Sequence, residues 1–168
     1  MEARYQLKLY PDVVLRRKCL PVNDVDGVIC ELMDSMAEVM YTYRGIGLAA
    51  PQVGMLWRVI IADVGEGLIT LVNPEILQKD GNDRLQEGCL SLPDIEVDVE
   101  RKHSIFVRGI DANGKEASLE LAGLIARVIQ HEIDHLNGVL ITDYASAKEN
   151  LLIKRKLKAL KTQFKARM

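Results

Sequence analysis

The sequence predicts an α+β fold, in which antiparallel β-sheets pack around a central helix, with one further helix near the N-terminus and another at the C-terminus. Apolar residues recur at helical spacing in three segments, at about 28–43, at about 121–137 and from about 147 onward. Between residues 56 and 121, short β-rich pieces are separated by turn clusters. Because helices flank these strands and do not alternate with them, antiparallel pairing is expected.

The first helix is predicted from about Val28 to Tyr43, with Gly45 available to end it. Before it, Pro11 and Asp12 predict a short helical turn. The clearest strands are 57–63, 68–72 and 103–110, and the turns fall at 65–67, 79–82 and 112–114. These elements describe the N-terminal helix and the β-rich region.

Two further helices are predicted after the β-rich region. One runs from about Leu121 to Asn137 and ends at Gly138. The other begins after Ser146, which forms a capping box with Glu149 three residues later. Its apolar stripe consists of Ile153, Leu157, Leu160 and Phe164. The C-terminal helix is therefore expected over about 147–166.

Length and composition indicate one globular domain over residues 1–168. The chain is 48% hydrophobic and 27% charged, and it contains no uninterrupted apolar run near the roughly 20 residues that cross a bilayer. The N-terminus lacks a basic region followed by an apolar core, so no secretory signal is expected. Three cysteines at irregular spacing argue against a disulfide framework. The predicted location is the reducing cytoplasm.

The strongest chemical signal is the segment H-E-I-D-H at residues 131–135. In a helix, His131 and His135 lie on one face, with Cβ atoms about 5–6 Å apart, so both can reach one metal ion. Glu132 lies about 100° around the helix, where it can act as a general base without ligating the ion. Two exposed histidines placed by chance are the alternative. The largely apolar flanks predict a buried helix, in which unpartnered histidines would be costly.

The third ligand is not fixed by this motif. No histidine follows His135, and the later acids are only Asp143 and Glu149. Upstream, E-G-C-L-S-L-P at residues 87–93 offers Cys89, which would complete a His₂Cys set with one open tetrahedral position, as in catalytic sites. Taken alone, a cysteine is more often an inert buried thiol, and Cys19 and Cys30 are assigned to that class. His103 is interpreted as a strand residue.

A glycine-rich segment, G-I-G-L-A-A-P-Q-V-G, occupies residues 45–54. It is no phosphate loop, because no G-K-[ST] follows. By itself, the segment predicts a helix stop followed by a tight turn.

Together, the three segments resemble the peptide deformylase family. The family motifs are G-φ-G-φ-A-A-x-Q, E-G-C-φ-S and Q-H-E-φ-D-H, where φ is apolar, and this chain has G-I-G-L-A-A-P-Q, E-G-C-L-S and Q-H-E-I-D-H in the same order. The resemblance implies a metal-dependent hydrolase that removes the N-formyl group from the formylmethionine of nascent polypeptides and releases formate. An H-E-x-x-H zinc endopeptidase and a non-catalytic metal-binding or peptide-binding module are the alternatives.

The resemblance also implies roles for individual residues. It makes Cys89, His131 and His135 the metal ligands and Glu132 the general acid/base. It implies that the Gln52 side chain and the Leu90 N–H stabilise the oxyanion that forms during hydrolysis. The substrate-contacting residues are Gly47 for the peptide backbone and Ile46, Leu85, Leu124 and Val128 for the methionine side chain. One departure is Glu96, where some bacterial members carry an arginine.

The metal and the partners follow partly from chemistry and partly from the resemblance. Tetrahedral His₂Cys geometry alone suggests zinc, whereas the resemblance implies Fe²⁺ physiologically, with Zn²⁺ or Ni²⁺ appearing in a preparation. Residues 148–168 carry eight basic residues and one acid. This helix is either a solvated face or a contact to ribosomal RNA through Lys154, Arg155, Lys156, Lys158 and Lys161. Neither a membrane nor DNA is an expected partner, and Asp134 is expected to pair with Arg101.

Overall fold

The computed structural model describes residues 4–168. Residues 1–3, part of the N-terminal segment used above to argue against a secretory signal, lie outside the described residues. The helices are α1 (Gly27–Thr42), α2 (Leu124–Leu136) and α3 (Ala147–Arg167). The strands are β1 (Gly47–Ala49), β2 (Val59–Ala62), β3 (Ile69–Asp80), β4 (Asp83–Cys89), β5 (Leu92–Arg101), β6 (Ser104–Ile110) and β7 (Glu116–Ala122). Short 3₁₀ helices occupy Val13–Arg16, Ala50–Val53 and Ile141–Tyr144.

The strands form two antiparallel sheets. One has five strands in the order β1-β2-β3-β6-β7, and the other is the two-stranded ribbon β4-β5. Helix α2 packs its buried Ala126 and Ile129 against residues of the larger sheet, such as Ile60 and Val107. The predicted α+β class, with its central helix, is confirmed.

Helix α1 closes the other side of the core. Asp26 caps it by accepting a hydrogen bond from the Ile29 N–H at 3.0 Å. Its buried residues are Ile29, Leu32, Met33, Met36, Val39 and Met40. Tyr43, the last residue of the predicted helix, follows α1 and is 54% exposed. The helix ends at Thr42, and the Gly45 N–H folds back onto the Met40 carbonyl at 2.9 Å. The end of α1 therefore leads directly into the glycine-rich segment.

The predicted start of the second helix is wrong by three residues. Leu121 belongs to β7, where it pairs with Ile105, and α2 begins at Leu124 after Gly123. Alternating Ala117, Leu119 and Leu121 pack on the core as one face of a strand. Apolar residues that end a strand and begin a helix had been combined into one helical pattern.

His103 is the second correction. It lies in the connection between β5 and β6, one residue before β6 begins, and its carbonyl accepts the Gly123 N–H at 2.9 Å. The predicted strand 103–110 thus loses its first residue, because backbone pairing with β7 starts at Ser104.

Helix α3 packs on the two-stranded ribbon. The capping box is formed, since the Glu149 N–H donates to Ser146 Oγ at 3.1 Å and the Ser146 N–H donates to Glu149 Oε1 at 3.2 Å. Ile153 and Leu160 are buried in a cluster with β5 residues including Ile95 and Val97. Within residues 4–168, no helix combines the length and apolar character that crossing a bilayer requires.

Candidate metal centre

Three potential metal ligands from distant parts of the chain meet at one point. Cys89 ends β4, and His131 and His135 lie one turn apart on α2. The Nε2 atoms of the two histidines are 3.2 Å apart, and Cys89 Sγ lies 3.4 Å from His135 Nε2. All three ligand atoms lie within 4.8 Å of one another. The His₂Cys convergence suggested by the motifs is present.

These separations suit a tetrahedral ion. With metal–nitrogen distances of about 2.0–2.1 Å and a metal–sulfur distance of about 2.3 Å, two nitrogens lie roughly 3.3 Å apart and nitrogen and sulfur roughly 3.5 Å apart. The 3.2 Å and 3.4 Å separations match both edges. Three protein ligands leave the fourth position open, as in catalytic sites. The three residues are therefore suited to hold a single metal ion, and their geometry does not select one ion.

A buried carboxylate orients the first histidine. Glu87 Oε1 lies 2.9 Å from His131 Nδ1, which leaves Nε2 directed at the ligand cluster. Glu87 is only 7% exposed, and two buried arginines neutralise it. Arg101 contacts both of its oxygens at 2.9 and 3.0 Å, and Arg127 Nη1 contacts Oε2 at 2.6 Å. The carboxylate thus joins β4, β5 and α2 beneath the metal ligands.

The electrostatics of this cluster follow from burial and pairing. Burial alone would raise the pKa of Glu87, but hydrogen bonds from His131 and Arg101 lower it to about 2. Burial is the main cause that lowers the pKa of His135, and repulsion from His131 lowers it further. The imidazole of His135 therefore stays neutral, which is the form that ligates metals. Burial also opposes protonation of His131, yet Cys89 and Glu87 raise the pKa of that histidine overall. A bound cation would take the place of this proton.

Glu132 is directed into the same space without joining the ligand set. It is 4% exposed, and its Oε2 has no hydrogen-bond partner within residues 4–168. Burial raises the pKa of this carboxyl to about 7. A Cβ placed on Gly47 would lie 2.6 Å from Glu132 Oε1 and 2.6 Å from Val128 Cγ1, so only glycine allows β1 to approach α2 this closely. The glycine-rich segment is more than a turn here, because β1 and Gln52 line the site.

The Gln52 side chain has a fixed orientation. It is 1% exposed, and its Oε1 accepts the Ala49 N–H at 3.0 Å. Its Nε2 therefore faces the other way, donating to Ser91 Oγ at 3.1 Å and lying 3.7 Å from Cys89 Sγ. An amide donor is thus held beside the ligand cluster.

A cavity of about 950 Å³ opens beside these residues. The predicted substrate residues all line it, namely Ile46, Gly47, Leu85, Leu124 and Val128. Leu90, which follows Cys89 in the turn between β4 and β5, lines it as well. The structure therefore brings together every residue that the sequence proposed for the site.

The remaining predictions concern Asp134 and two cysteines, and they have different outcomes. Asp134 Oδ2 accepts from Arg101 Nη1 at 2.6 Å, as predicted, and also from the Tyr144 hydroxyl at 2.6 Å. Cys19 is buried, and burial raises the pKa of its thiol to about 11, as an inert thiol requires. Cys30 is only partly buried, with Sγ 3.8 Å from the Ala112 carbonyl. The expectation of a fully buried thiol is wrong for Cys30, which packs at the edge of the α1 cluster.

Sequence reasoning missed three residues that support the site. The E-G-C-L-S motif contains Glu87 and Ser91 but assigns them no role, and none of the three motifs includes Arg127. A signal existed for Arg127, because Arg127, His131 and His135 repeat every four residues on one face of the helix. A buried arginine on that face requires an acidic partner, which is Glu87.

Comparisons with known proteins identify the relatives of this chain. The polypeptide deformylase family matches residues 5–151. A peptide deformylase of Thermodesulfovibrio yellowstonii is 45% identical over 161 residues, covering 93% of this chain and 98% of the relative. The crystal structure of a peptide deformylase from Legionella pneumophila has a TM-score of 0.89 at 36% identity and covers 98% of both chains. A peptide deformylase from Synechococcus elongatus, in complex with actinonin, has a TM-score of 0.87 at 38% identity, covering 92% of this chain and 87% of that one.

Proposed function

Because this chain belongs to the polypeptide deformylase family and removes the N-formyl group from nascent polypeptides, we propose that Cys89, His131 and His135 hold its metal ion and that Glu132 moves the proton. The convergence of the three ligand atoms within 4.8 Å carries this proposal. The zinc endopeptidase alternative is not favoured, since the relatives are peptide deformylases over nearly their full length.

The proposed physiological ion is Fe²⁺, with Zn²⁺ or Ni²⁺ replacing it in preparations. Resemblance to the family supports iron, and the mixed nitrogen and thiolate ligands also suit zinc. When bound, the ion polarises the formyl carbonyl and makes a water molecule more acidic. The thiolate of Cys89 exposes the site to oxidation, so loss of activity in air would accompany the iron form.

Glu132 is proposed to act as the general base and then as the general acid. Glu132 lines the cavity, and its buried Oε2, which has no hydrogen-bond partner within residues 4–168, can accept a proton from the attacking water. The same carboxyl then delivers this proton to the amine nitrogen as the bond to the formyl carbon breaks. The products are formate and a peptide with a free N-terminal methionine, so proton and bond counts balance.

Gln52 and Leu90 are proposed to stabilise the negative charge on the formyl oxygen. The Gln52 amide supports this role because its Oε1 is already bound to the Ala49 N–H, which leaves Nε2 directed at the ligand cluster. The Leu90 N–H follows Cys89 directly, at the tip of the ribbon. One such donor is worth roughly 3–4 kcal/mol in the transition state.

The substrate is proposed to lie along β1, with the Gly47 backbone contacting the peptide. The four apolar residues Ile46, Leu85, Leu124 and Val128 would surround the methionine side chain. Their shared position on the cavity supports this assignment. An unbranched, polarisable thioether suits such an apolar pocket.

The basic face of α3 is proposed to bind the ribosome. The protein as a whole is proposed to reside in the cytoplasm. The side chains of Lys154, Arg155, Lys156, Lys158 and Lys161 are all exposed, as phosphate contacts require. Unpaired cysteines and a nascent-chain substrate support the cytoplasm. In a salt series, ribosome co-sedimentation should weaken in a variant with Lys154, Arg155 and Lys158 replaced by alanine. Unchanged binding at low salt would contradict the ribosome proposal.

One preparation tests the central proposal. The protein is purified without oxygen, its metal is measured by elemental analysis, and the same sample is assayed on formyl-Met-Ala and on an unformylated internal peptide. We expect one equivalent of iron, formate release from formyl-Met-Ala and no cleavage of the internal peptide. Chelation should abolish formate release, and a Cys89→Ala variant should bind no stoichiometric metal. Retention of full metal binding by that variant would refute the ligand assignment.

A further inference from the structure

The cavity at the metal centre continues to the C-terminal helix. Its lining includes Cys89 and Glu132 from the metal centre, and also Leu152, Ile153 and Lys156 from α3. Its volume of about 950 Å³ is at the upper end of the roughly 300–1,000 Å³ typical of small-molecule sites. The cavity thus has room for more of a peptide than its formylated first residue.

Two polar contacts and two buried side chains fix α3 beside this cavity. Glu149 Oε2 accepts the Asp98 N–H at 2.8 Å, and Lys156 Nζ donates to the Asp94 carbonyl at 2.7 Å. Both partners lie on β5, and Ile153 and Leu160 pack against the same strand. The position of Leu152, between the two anchors, follows from this packing.

Leu152 differs from its neighbour in a way that packing does not explain. Its side chain is 68% exposed yet lines the cavity, whereas Leu151 is 75% exposed and lies outside the cavity lining. Single exposed leucines are ordinary on protein surfaces. Leu152, however, shares the cavity with three other exposed apolar residues, Ile46, Leu85 and Leu124. Ile46, Leu85 and Leu124 are proposed to surround the methionine side chain, whereas Leu152 has no role in that pocket.

We propose that Leu152 determines specificity by contacting an apolar side chain of the substrate beyond the formylmethionine. This inference rests on the proposed function of the cavity. An extended peptide advances about 3.3–3.6 Å per residue, so residues two to four extend along the cavity away from the reacting group. Charge of one sign does not dominate this end of the cavity, because its lining holds Lys156 as well as the acidic Asp94 and Glu96. The part of the cavity that α3 lines therefore offers the substrate mainly apolar contact.

The test compares two substrates, formyl-Met-Ala and formyl-Met-Ala-Leu-Leu, through the ratio of their kcat/KM values. In Leu152→Ala, this ratio should fall roughly tenfold, because truncation removes apolar contact that only the longer peptide makes. Leu151→Ala is the matched control, one residue away and similarly exposed, and its ratio should stay at the wild-type value. An unchanged ratio in Leu152→Ala, or an equal fall in both variants, would overturn the inference.

A second variant tests direct contact. Leu152→Lys should move the preference from formyl-Met-Ala-Leu-Leu towards formyl-Met-Ala-Glu-Glu, which a loss of helix packing would not produce. Failure of this variant to change the preference would also overturn the inference. If the wild-type protein releases no formate from formyl-Met-Ala, the proposed function fails and this inference with it. Activity on formyl-Met-Ala with equal ratios in every variant refutes only the inference about Leu152.

Discussion

Helices α2 and α3 both carry many charged and polar residues, but they use them in opposite ways. On α2, the polar residues Arg127, His131 and His135 face inward and are 9% exposed or less. On α3, lysines and arginines face solvent, and the buried positions are Ile153 and Leu160. Helix α2 therefore buries polar side chains together with apolar ones such as Ala126 and Ile129, whereas a usual amphipathic helix keeps its polar residues in solvent.

The buried polar residues of α2 are stable because they have partners on other elements. Glu87 of β4 binds His131, Arg101 and Arg127, and Asp134 binds Arg101. The buried atoms within residues 4–168 that lack a partner include Glu132 Oε2, which lies beside the ligand cluster. Glu149 and Lys156 of α3 contact β5, but the other charged side chains described for α3 lie in solvent, which solvates them. Substitutions should thus have large and specific effects around α2 and small effects on α3.

The largest effect is expected for Glu132→Gln. The amide keeps the shape of the side chain but cannot accept the proton, so kcat should fall by about 10²–10⁴-fold. Metal content should remain one equivalent, because Glu132 is not a proposed ligand. Steady-state deformylation assays with elemental analysis measure both quantities. Glu120→Gln, at an exposed position of β7, is the control. If Glu132→Gln lost its metal together with its activity, Glu132 would be a metal ligand and the proposed role would be wrong.

Glu87→Gln tests the supporting cluster next. Removing this charge leaves two buried arginines without their shared carboxylate, which should lower the free energy of unfolding by about 3–5 kcal/mol. Metal affinity should also weaken by about 10–100-fold, because His131 loses its orienting partner. Urea denaturation and metal titration measure the two effects.

The exposed pair formed by Glu75 and Arg108 is the control for Glu87→Gln. Glu75 lies 3.0 Å from Arg108, and their side chains are 62% and 51% exposed. Glu75→Gln should therefore change the unfolding free energy by less than about 1 kcal/mol. Equal effects of the two substitutions would remove the distinction between buried and exposed charge.

The sequence predicted the three residues that converge at the candidate metal centre because their motifs are short and local, whereas the supporting residues depend on tertiary pairing. H-E-x-x-H places two ligands on one helix face without further information. By contrast, Glu87 supports His131 only because β4 lies beneath α2, 44 positions away in sequence. Arg101 and Asp134 were predicted as a pair, since a charge beside the ligands needed a basic partner. The boundaries of the elements were less predictable. Between β7 and α2, for example, the alternating apolar residues of the strand run directly into the apolar pattern of the helix.

Ser91→Ala should have an intermediate effect. Ser91 is fully buried and accepts the Gln52 Nε2 hydrogen bond at 3.1 Å, so it positions Gln52 and does not itself touch substrate. Loss of one such hydrogen bond is worth about 1 kcal/mol, or roughly fivefold in rate. We expect this loss in kcat with KM nearly unchanged, since the Gln52 donor is proposed to act on charge that develops in the transition state. Thr in place of Ser91 should restore part of the rate, whereas the exposed Ser118→Ala should behave as wild type.

The smallest effect is expected on α3, and it is the other half of the comparison. Lys154 and Lys158 are exposed, and their helix is fixed by Ile153, Leu160 and the Ser146 cap. Replacing both lysines by alanine removes charge but no packing, and alanine favours helix, so the unfolding free energy should stay within about 0.5 kcal/mol of wild type. The rate on formyl-Met-Ala should also be unchanged, because neither lysine lines the cavity. A loss above about 1 kcal/mol in urea denaturation would mean that α3, like α2, depends on specific charge contacts, and the contrast between the two helices would no longer hold.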